Sequence, residues 1–353
     1  MAHAAAVAFA PMMTRALAAA LALAALSAVA LSCSKEPPRA GAGGEGGVPT
    51  AARLKIAVIP KGTTHEFWKS VHAGAMKAAK EVDVDVVWKG PLKEDDLKAQ
   101  VDVVSTFVAQ GVSGIVLAPL NDTALRAPVK QAAAAKIPVV VFDSDLQGDD
   151  HVSFVATDNA AAGAIGGAQM AKLLGEKGNV VVLRYQEGSA STQHRERGFL
   201  EAIKARPGIK VVSDNQYGGA TTESAFSKGE SLLLAQKAET GAVAGIFTPN
   251  ESTTFGMLLA LRKSGLNKKM KFIGFDASDK LVGALRDGDI DGLVVQNPFN
   301  MGYLAVKTMA DHLRGKKVER RIDTGARLVT KESLEDPAVK EIIAPDLKKW
   351  LGE

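Results

Sequence analysis

Two aspartates that each follow an apolar segment carry the clearest chemical signal in the sequence. Asp143 follows the segment 139–142, Val-Val-Val-Phe, and Asp276 follows the segment 272–275, Phe-Ile-Gly-Phe. A carboxylate accepts hydrogen bonds from two donors at once, which suits the neighbouring hydroxyl groups of a sugar or polyol. Aspartate is also common in turns after strands, so either residue alone has a purely structural interpretation. The matching positions of the pair favour a ligand held from two sides.

Amide side chains occupy similar positions in the chain. Gln296 closes the apolar segment 293–295, and Asn250 follows a Thr-Pro pair. Asn250 and Asn121 stand at corresponding predicted helix starts, where an asparagine side chain satisfies free backbone N–H groups. Capping alone is the favoured interpretation of Asn121, whereas Asn250 is also a candidate for ligand contact.

Phe67 and Trp68 are adjacent aromatics that follow the first predicted strand. Neighbouring residues in a helix point about 100° apart, so at least one of these rings is predicted to face a cleft. Aromatic faces bind the C–H faces of sugar rings, or cations. The alternative interpretation is that both rings pack in the core.

Two arginines, Arg195 and Arg197, lie at the start of another predicted helix. A guanidinium group at a strand end forms a planar fork that suits ring oxygens or a carboxylate. The alternative is a solvated run of charge, which is the usual role of such a tetrad.

The sequence lacks the common signatures of catalysis and of metal or phosphate binding. The six histidines form no pair with metal-ligand spacing. We find no Gly-Lys-Ser/Thr phosphate loop and no Gly-x-Ser-x-Gly elbow, and the single cysteine excludes an intrachain disulfide. The polar groups are of the kind that recognises a ligand, so we predict no enzyme activity, no cofactor and no metal.

Two stretches, 114–143 and 245–276, share one layout of elements that would position these residues. Each has an apolar strand, an Asn-led helix, a second apolar strand and a final Asp. Apolar strands followed by helices predict parallel sheets covered on both faces, and such sheets bind ligands at the carboxyl ends of their strands. We therefore predict an α/β protein with two doubly wound parallel-sheet lobes around a shared cleft. Helices over 122–136 and 195–204 are among its predicted elements.

The N-terminus has the pattern of an export signal. Residues 1–32 contain Arg15 and then an apolar run, which ends in Ala-Leu-Ser before Cys33. This ending resembles a bacterial lipobox, in which the cysteine receives lipid; an ordinary cleaved signal with a chance cysteine is the alternative. Residues 33–52 are poor in bulky apolar side chains and are predicted to form a disordered tether. The net charge of +4 is too small to indicate a nucleic-acid partner.

From about residue 54 to residue 331 the chain resembles a periplasmic sugar-binding protein of the ribose-binding type, a type I periplasmic binding protein that serves an ABC importer. The matching segments are 65–68, 142–143, 195–199, 248–251, 274–276 and 295–296. In that family, the corresponding positions hold a sugar between aromatic rings and a belt of polar side chains. The resemblance therefore implies that the ligand-binding residues are Phe67, Trp68, Asp143, Arg197, Asn250, Asp276 and Gln296.

Three positions depart from the pattern of the family. His65 opens a matching segment and is included among the candidate ligand-binding residues, although Asn is usual there. Ser144 replaces an Arg and Ala118 replaces an Asn. These changes remove hydrogen-bond donors, so they argue against ribose itself more than against a sugar. The family also has an aromatic contact from the second lobe, which is not clearly matched here; Tyr217 and Phe226 are its candidates.

The resemblance also implies a three-stranded hinge between the lobes, near residues 156–158, 296–298 and 325–327. The first lobe would then comprise residues 53–156 and 298–325, and the second lobe residues 157–297 and 326–353.

The implied function is that of a lipid-anchored receptor on the periplasmic or extracytoplasmic side of a bacterial cell envelope. It would capture a small sugar or polyol in the cleft and deliver it to an ABC importer permease. The alternative is a receptor that presents a sugar or autoinducer to a membrane signalling protein, because the same cleft serves both. We expect a monomer that reaches the membrane only through lipid on Cys33 and that has no nucleic-acid partner.

Overall fold

The computed structural model describes residues 53–352, which form two six-stranded sheets with helices on both faces. This confirms the predicted α/β fold of two doubly wound lobes. We call the sheet that contains the first strand, with its helices, lobe 1, and the other sheet, with its helices, lobe 2. The predicted signal peptide 1–32, Cys33 and the tether 33–52 lie outside the described residues.

The strands of lobe 1 are β1 (Lys55–Ile59), β2 (Asp85–Trp88), β3 (Gly114–Leu117), β4 (Val139–Phe142), β5 (Ser153–Ala156) and β11 (Arg321–Asp323). Their sheet is entirely parallel, in the strand order β11-β5-β4-β3-β1-β2. Its inner strands β3 and β4 are fully buried because helices cover both faces.

The strands of lobe 2 are β6 (Gly178–Arg184), β7 (Ile209–Tyr217), β8 (Gly245–Phe247), β9 (Lys271–Phe275), β10 (Gly292–Gln296) and β12 (Ala326–Val329). Their sheet has the order β12-β10-β9-β8-β6-β7. It differs from the predicted parallel sheet in one strand, because β12 pairs antiparallel with β10. The reason is that the chain leaves β11 at the cleft side of lobe 1 and enters lobe 2 from the cleft side of lobe 2.

The helices cover each sheet on both sides, and each side encloses its own apolar cluster. The helices of lobe 1 are α1 (Glu66–Glu81), α2 (Leu97–Ala109), α3 (Arg126–Ala134) and α9 (Pro298–Leu313). The helices of lobe 2 are α4 (Asn159–Leu174), α5 (Ala190–Lys204), α6 (Thr222–Ala235), α7 (Glu251–Lys263), α8 (Asp279–Asp287) and α10 (Pro337–Ile343). The short helix α11 (Lys348–Leu351) packs against α1. None of the helices in residues 53–352 is long and apolar enough to cross a membrane.

Two helix starts differ from the prediction. Helix α3 begins at Arg126 instead of residue 122, because Asn121 caps a turn: its Oδ1 accepts the N–H groups of Thr123 at 3.0 Å and Ala124 at 2.8 Å. Helix α5 begins at Ala190 instead of residue 195. Arg195 therefore lies inside this helix and not at its first turn.

Three connections join the lobes, after β5, after β10 and after β11. Two of them are bonded to each other, since the Thr157 hydroxyl donates to the Gly325 carbonyl at 3.1 Å and the Asp158 N–H donates to Asp323 at 3.0 Å. The predicted residue limits of the lobes remain a prediction, which the membership of the strands supports.

Candidate functional site

A cavity lies between the lobes, where the carboxyl ends of both sheets meet. Its volume is about 320 Å³ including the open mouth. The cavity is lined by Lys61, His65, Phe67, Trp68, Glu94, Asp143, Tyr185, Ser191, Thr192, Arg195, Asn250, Glu251, Asp276 and Gln296. Seven of the eight predicted ligand-binding residues are in this set, and the exception is Arg197.

The two strand-end aspartates have the same backbone geometry in both lobes. Asp143 has φ of 60° and Asp276 has φ of 68°, in the left-handed region that Asp tolerates better than most residues. The N–H of Asp143 donates to the Val155 carbonyl at 3.0 Å, and the N–H of Asp276 donates to the Val294 carbonyl at 2.9 Å. The repeat seen in the sequence therefore extends to the backbone that presents each carboxylate to the cleft.

The carboxylate of Asp143 lies beside a buried lysine that sequence reasoning missed. Lys61 Nζ is 3.4 Å from Asp143 Oδ2, and both side chains are at most 5% exposed. The same ammonium group donates to Ser189 Oγ at 3.1 Å and to Ser191 Oγ at 3.0 Å. Lys61 lies in lobe 1 and the two serines lie in lobe 2, so this charge bridges the lobes. Its signal in the sequence was its position two residues after the first strand.

Asp276 is held by lobe 2 alone. Its carboxylate accepts Gln296 Nε2 at 2.8 Å and the N–H of Glu251 at 3.0 Å. Burial raises the pKa of Asp276, and the charge of Arg195 opposes this rise. Gln296 Oε1 is buried and has no hydrogen-bond partner within residues 53–352. This oxygen is therefore available to a ligand hydroxyl.

The arginine that lines the cavity is Arg195, whereas the predicted residue Arg197 lies outside the lining. Arg195 Nε donates to Asn159 Oδ1 at 2.8 Å, and Nη1 donates to the Pro249 carbonyl at 3.0 Å. Its buried Nη2 has no partner among the described residues. Arg197 is 57% exposed and lies 3.9 Å from Glu201. Side chains two residues apart in a helix point about 200° apart, so only one of the two arginines faces the cleft.

A close approach of two helices places Arg195. A Cβ on Gly163 of α4 would lie 2.0 Å from the Arg195 carbonyl oxygen, and a Cβ on Gly198 of α5 would lie 2.0 Å from the Ala160 carbonyl oxygen. Both positions therefore require glycine. The contact brings Asn159 at the start of α4 within hydrogen-bond distance of the guanidinium group.

Aromatic rings from both lobes line the cavity. Phe67 and Trp68 are both nearly buried and meet edge to face, with ring centroids 4.9 Å apart. The aromatic residue of lobe 2 is Tyr185, directly after β6. The earlier candidates lie elsewhere: Phe226 packs on the apolar cluster of α6 and α7, and Tyr217 lies under the Arg184 guanidinium group.

Glu94, from the loop between β2 and α2, connects several of these groups. Its Oε1 accepts His65 Nδ1 at 2.6 Å and Trp68 Nε1 at 2.6 Å, and its Oε2 accepts the Tyr185 hydroxyl. Burial alone would lower the pKa of His65, but Glu94 raises it to about 9. Burial alone would raise the pKa of Glu94, but His65 and Lys61 lower it to about 2. No pattern in the sequence indicated Glu94.

Asn250 both caps a helix and lines the cavity, and the sequence had left both roles open. It caps α7, since its Oδ1 accepts the Thr253 hydroxyl at 2.6 Å and the Thr253 N–H at 3.3 Å. Its Nδ2 donates to Ser252 Oγ at 3.1 Å, and the residue also lines the cavity. The amide is thus fixed in place by its own helix.

Two glutamates hold the lobes together beside the cavity, and we call this pair the reciprocal latch. Glu251 of lobe 2 accepts the N–H groups of Glu66 at 3.3 Å and Phe67 at 3.1 Å, at the start of α1. Glu66 of lobe 1 accepts the N–H of Asp279 at 2.8 Å, at the start of α8. A carboxylate at a helix N-terminus is stabilised by the free N–H groups and the helix dipole. The described structure is therefore a closed form.

The cavity offers buried acceptors, donors and aromatic rings to one small ligand. Residues 53–352 contain no cluster of three His, Cys, Asp or Glu side chains that could hold a metal ion. A cleft between two α/β lobes with such a lining is typical of a two-lobed solute-binding receptor.

Comparison with known proteins identifies the family. Residues 56–317 match the model of the periplasmic binding protein domain, and the chain belongs to this family. The ribose import binding protein of Bacillus subtilis is 26% identical over 85% of this chain and 94% of its own length. The relatives of the present chain are solute-binding receptors rather than enzymes, which confirms the prediction of a receptor without enzyme activity.

Solved structures show the same fold. A periplasmic component of an ABC-type sugar transport system from Hahella chejuensis is 39% identical, with a TM-score of 0.75 over 78% of this chain and 99% of that one. A carbohydrate transporter solute-binding protein from Agrobacterium radiobacter, in complex with D-arabinose, is 35% identical, with a TM-score of 0.79 over 83% of this chain and 100% of that one.

Proposed function

We propose that this protein is an extracytoplasmic receptor that captures one small sugar or polyol between its lobes and delivers it to an ABC importer. The observation that carries the proposal is the placement of the strand-end carboxylates of Asp143 and Asp276, one from each lobe, on one cavity. Closing of the lobes removes water from both carboxylates, and the hydroxyl groups of a sugar replace the lost hydrogen bonds.

The lining contains further groups that suit a sugar. Arg195 Nη2 is an unpartnered donor and Gln296 Oε1 an unpartnered acceptor within residues 53–352, and both are buried. Phe67 and Trp68 supply apolar surface for the C–H face of a ring. A buried polar atom without a partner costs about 1–3 kcal/mol, so both atoms favour a ligand that can donate and accept hydrogen bonds.

The size of the cavity supports a monosaccharide rather than a longer chain. Its volume of about 320 Å³ includes the open mouth, so the space enclosed for a ligand is smaller still. The Bacillus subtilis relative is named for ribose, and the Agrobacterium radiobacter structure is a complex with D-arabinose; both sugars are pentoses. We therefore place pentoses, hexoses of similar shape and small polyols in the ligand class.

Lipid on Cys33 is the proposed membrane attachment, supported by the apolar run and the lipobox-like ending before it. Metabolic labelling with a radioactive fatty acid in a bacterial host should label the wild-type protein. A Cys33→Ala variant should remain unlabelled and appear in the soluble envelope fraction. Labelling of the variant, or a wild-type protein without label, would refute the anchor but leave sugar binding untouched.

A calorimetric screen across pentoses, hexoses and polyols tests the receptor function. We expect at least one of them to bind with one-to-one stoichiometry. A ligand at 100 times its dissociation constant stabilises the folded protein by about 2.7 kcal/mol, so thermal unfolding provides an independent check. The absence of binding by every sugar and polyol in both assays would contradict the proposal.

A further inference from the structure

Within residues 53–352, Glu94 is the buried carboxylate with the most cavity-lining partners. Its three side-chain partners are His65 and Trp68 of lobe 1 and Tyr185 of lobe 2. Its backbone carbonyl also accepts Gln186 Nε2, from lobe 2, at 3.0 Å. Glu94 is 6% exposed, so these bonds are shielded from water.

The carboxylate itself has little capacity left for a ligand. A carboxylate has about four acceptor positions, and His65, Trp68 and Tyr185 use three of them. Glu94 therefore acts on a ligand through its neighbours. Two of those neighbours are aromatic residues of the cavity, and the third is the imidazole of His65.

The role of His65 depends on this carboxylate. Because Nδ1 of His65 faces Glu94, Nε2 is the ring nitrogen left for a ligand. In a neutral ring with its proton on Nδ1, Nε2 would accept a hydrogen bond, whereas in an imidazolium ion Nε2 donates one. Glu251 and Asp276 of lobe 2 also face His65 and favour the cation.

On the basis of the proposed sugar-binding function, we propose that Glu94 is a positioning residue that keeps His65 a hydrogen-bond donor to the sugar. Glu94 also orients Trp68, and it accepts a hydrogen bond from the Tyr185 hydroxyl when the lobes close. The ligand must then present an acceptor oxygen, from its ring or from a hydroxyl group, at the position of His65. The pKa of about 9 for His65 agrees with this role, since the ring stays protonated at neutral pH.

A double-mutant cycle tests the role in binding. We expect Glu94→Gln to weaken binding of the tightest sugar from the screen at least tenfold, because the amide loses the charge that holds the imidazolium ion. In a His65→Asn background the same substitution should cost less than threefold, because there is no cation left to hold. Equal losses in both backgrounds, or no loss in either, would overturn the proposal. Glu201→Gln, at a 71% exposed carboxylate, makes the same chemical change and should bind as the wild type does.

A titration of His65 by NMR in ligand-free protein tests the pair without any sugar, because both residues belong to lobe 1. We expect the imidazole of the wild type to titrate far above neutral pH. In Glu94→Gln it should titrate at a clearly lower pH than in the wild type, because the imidazolium ion loses its carboxylate partner while burial still opposes the charge. An unchanged titration would overturn the proposal even if sugar binds. If the pair titrates as expected but no sugar binds, the receptor function fails instead.

Discussion

Backbone conformation fixes the positions of the two strand-end carboxylates that line the cavity. Asp143 and Asp276 both have a left-handed backbone, and each N–H is bonded to the neighbouring strand of its sheet. This arrangement fixes the backbone position from which each side chain projects at a strand end. A substitution that keeps the backbone but changes the charge is therefore the cleanest test of either residue.

Asp276→Asn should weaken sugar binding at least tenfold while the protein stays folded. Asparagine tolerates the left-handed backbone, but it replaces one acceptor oxygen with a donor, against the donor Nε2 of Gln296. Calorimetry measures the affinity, and thermal unfolding without sugar checks the fold. Asp149→Asn, at a fully exposed carboxylate, is the matched control. Unchanged affinity in Asp276→Asn would remove this residue from the site.

The two arginines of α5 provide a paired prediction. Arg195→Lys should weaken sugar binding at least tenfold, because a lysine ammonium group lacks the planar fork whose separate N–H groups reach Asn159, the Pro249 carbonyl and a ligand. Arg197→Lys should change the affinity less than twofold, since this side chain is exposed. Calorimetry on both variants with one sugar decides the matter. The reverse pattern would restore the original sequence-based prediction.

The pH dependence of stability should reveal Glu196, which is buried in α5. Burial raises its pKa to about 7, from an ordinary value of 4.5. The folded protein therefore binds more protons than the unfolded chain between these pH values, so the free energy of unfolding falls as pH rises from about 5 to 7. At about 1.36 kcal/mol per pH unit, the loss is roughly 3 kcal/mol at most.

Glu196→Gln should remove this part of the pH dependence. We expect the difference in unfolding free energy between variant and wild type to shift in favour of the variant as pH rises from 5 to 8. Urea denaturation at several pH values measures it, with Glu201→Gln as the exposed control in the same helix. A difference that stays constant with pH would show that Glu196 is already ionised at pH 5.

Among the elements, the reciprocal latch joins three helix N-termini across the cleft. Glu66 does not line the cavity, so it reports on closure without touching a ligand. Glu251 lines the cavity, and burial raises its pKa to about 7. The two carboxylates therefore differ in what a substitution would measure, and Glu66 is the better probe.

Glu66→Ala should accelerate sugar dissociation about three- to tenfold and leave the association rate nearly unchanged. A carboxylate at a helix N-terminus contributes about 0.3–2 kcal/mol, and here that contribution exists only in the closed form. Stopped-flow fluorescence of Trp68, which lines the cavity, measures both rates. Glu81→Ala, at the other end of α1, is the control. Equal rates in Glu66→Ala and the wild type would show that the latch does not hold the closed form.

Sequence patterns predicted the elements better than their exact starts. The alternation of apolar strands and helices was sufficient for both sheets, because buried parallel strands have no polar positions. The start of α3 was missed because Asn121 caps a turn as readily as a helix. The antiparallel strand β12 was missed because its direction depends on how the chain passes between the lobes.

At the scale of the whole molecule, the duplicated layout of the sequence predicted a cleft lined by an Asp from each lobe, and the structure has this cleft. The side chains that bridge the lobes could not be predicted from the sequence. Lys61 and Glu94 come from two loops of lobe 1, and their partners Ser191 and Tyr185 lie about 100 residues or more further along the chain. No local pattern encodes a contact over that distance, since it follows from how the closed lobes meet.

A crystal structure of the protein with its tightest-binding sugar tests the central claim most directly. We predict one sugar molecule in the cleft, with the carboxylates of Asp143 and Asp276 within hydrogen-bond distance of its hydroxyl groups and Arg195 Nη2 donating to one of its oxygens. A sugar that contacts only one lobe, or that binds outside the cleft, would contradict the account.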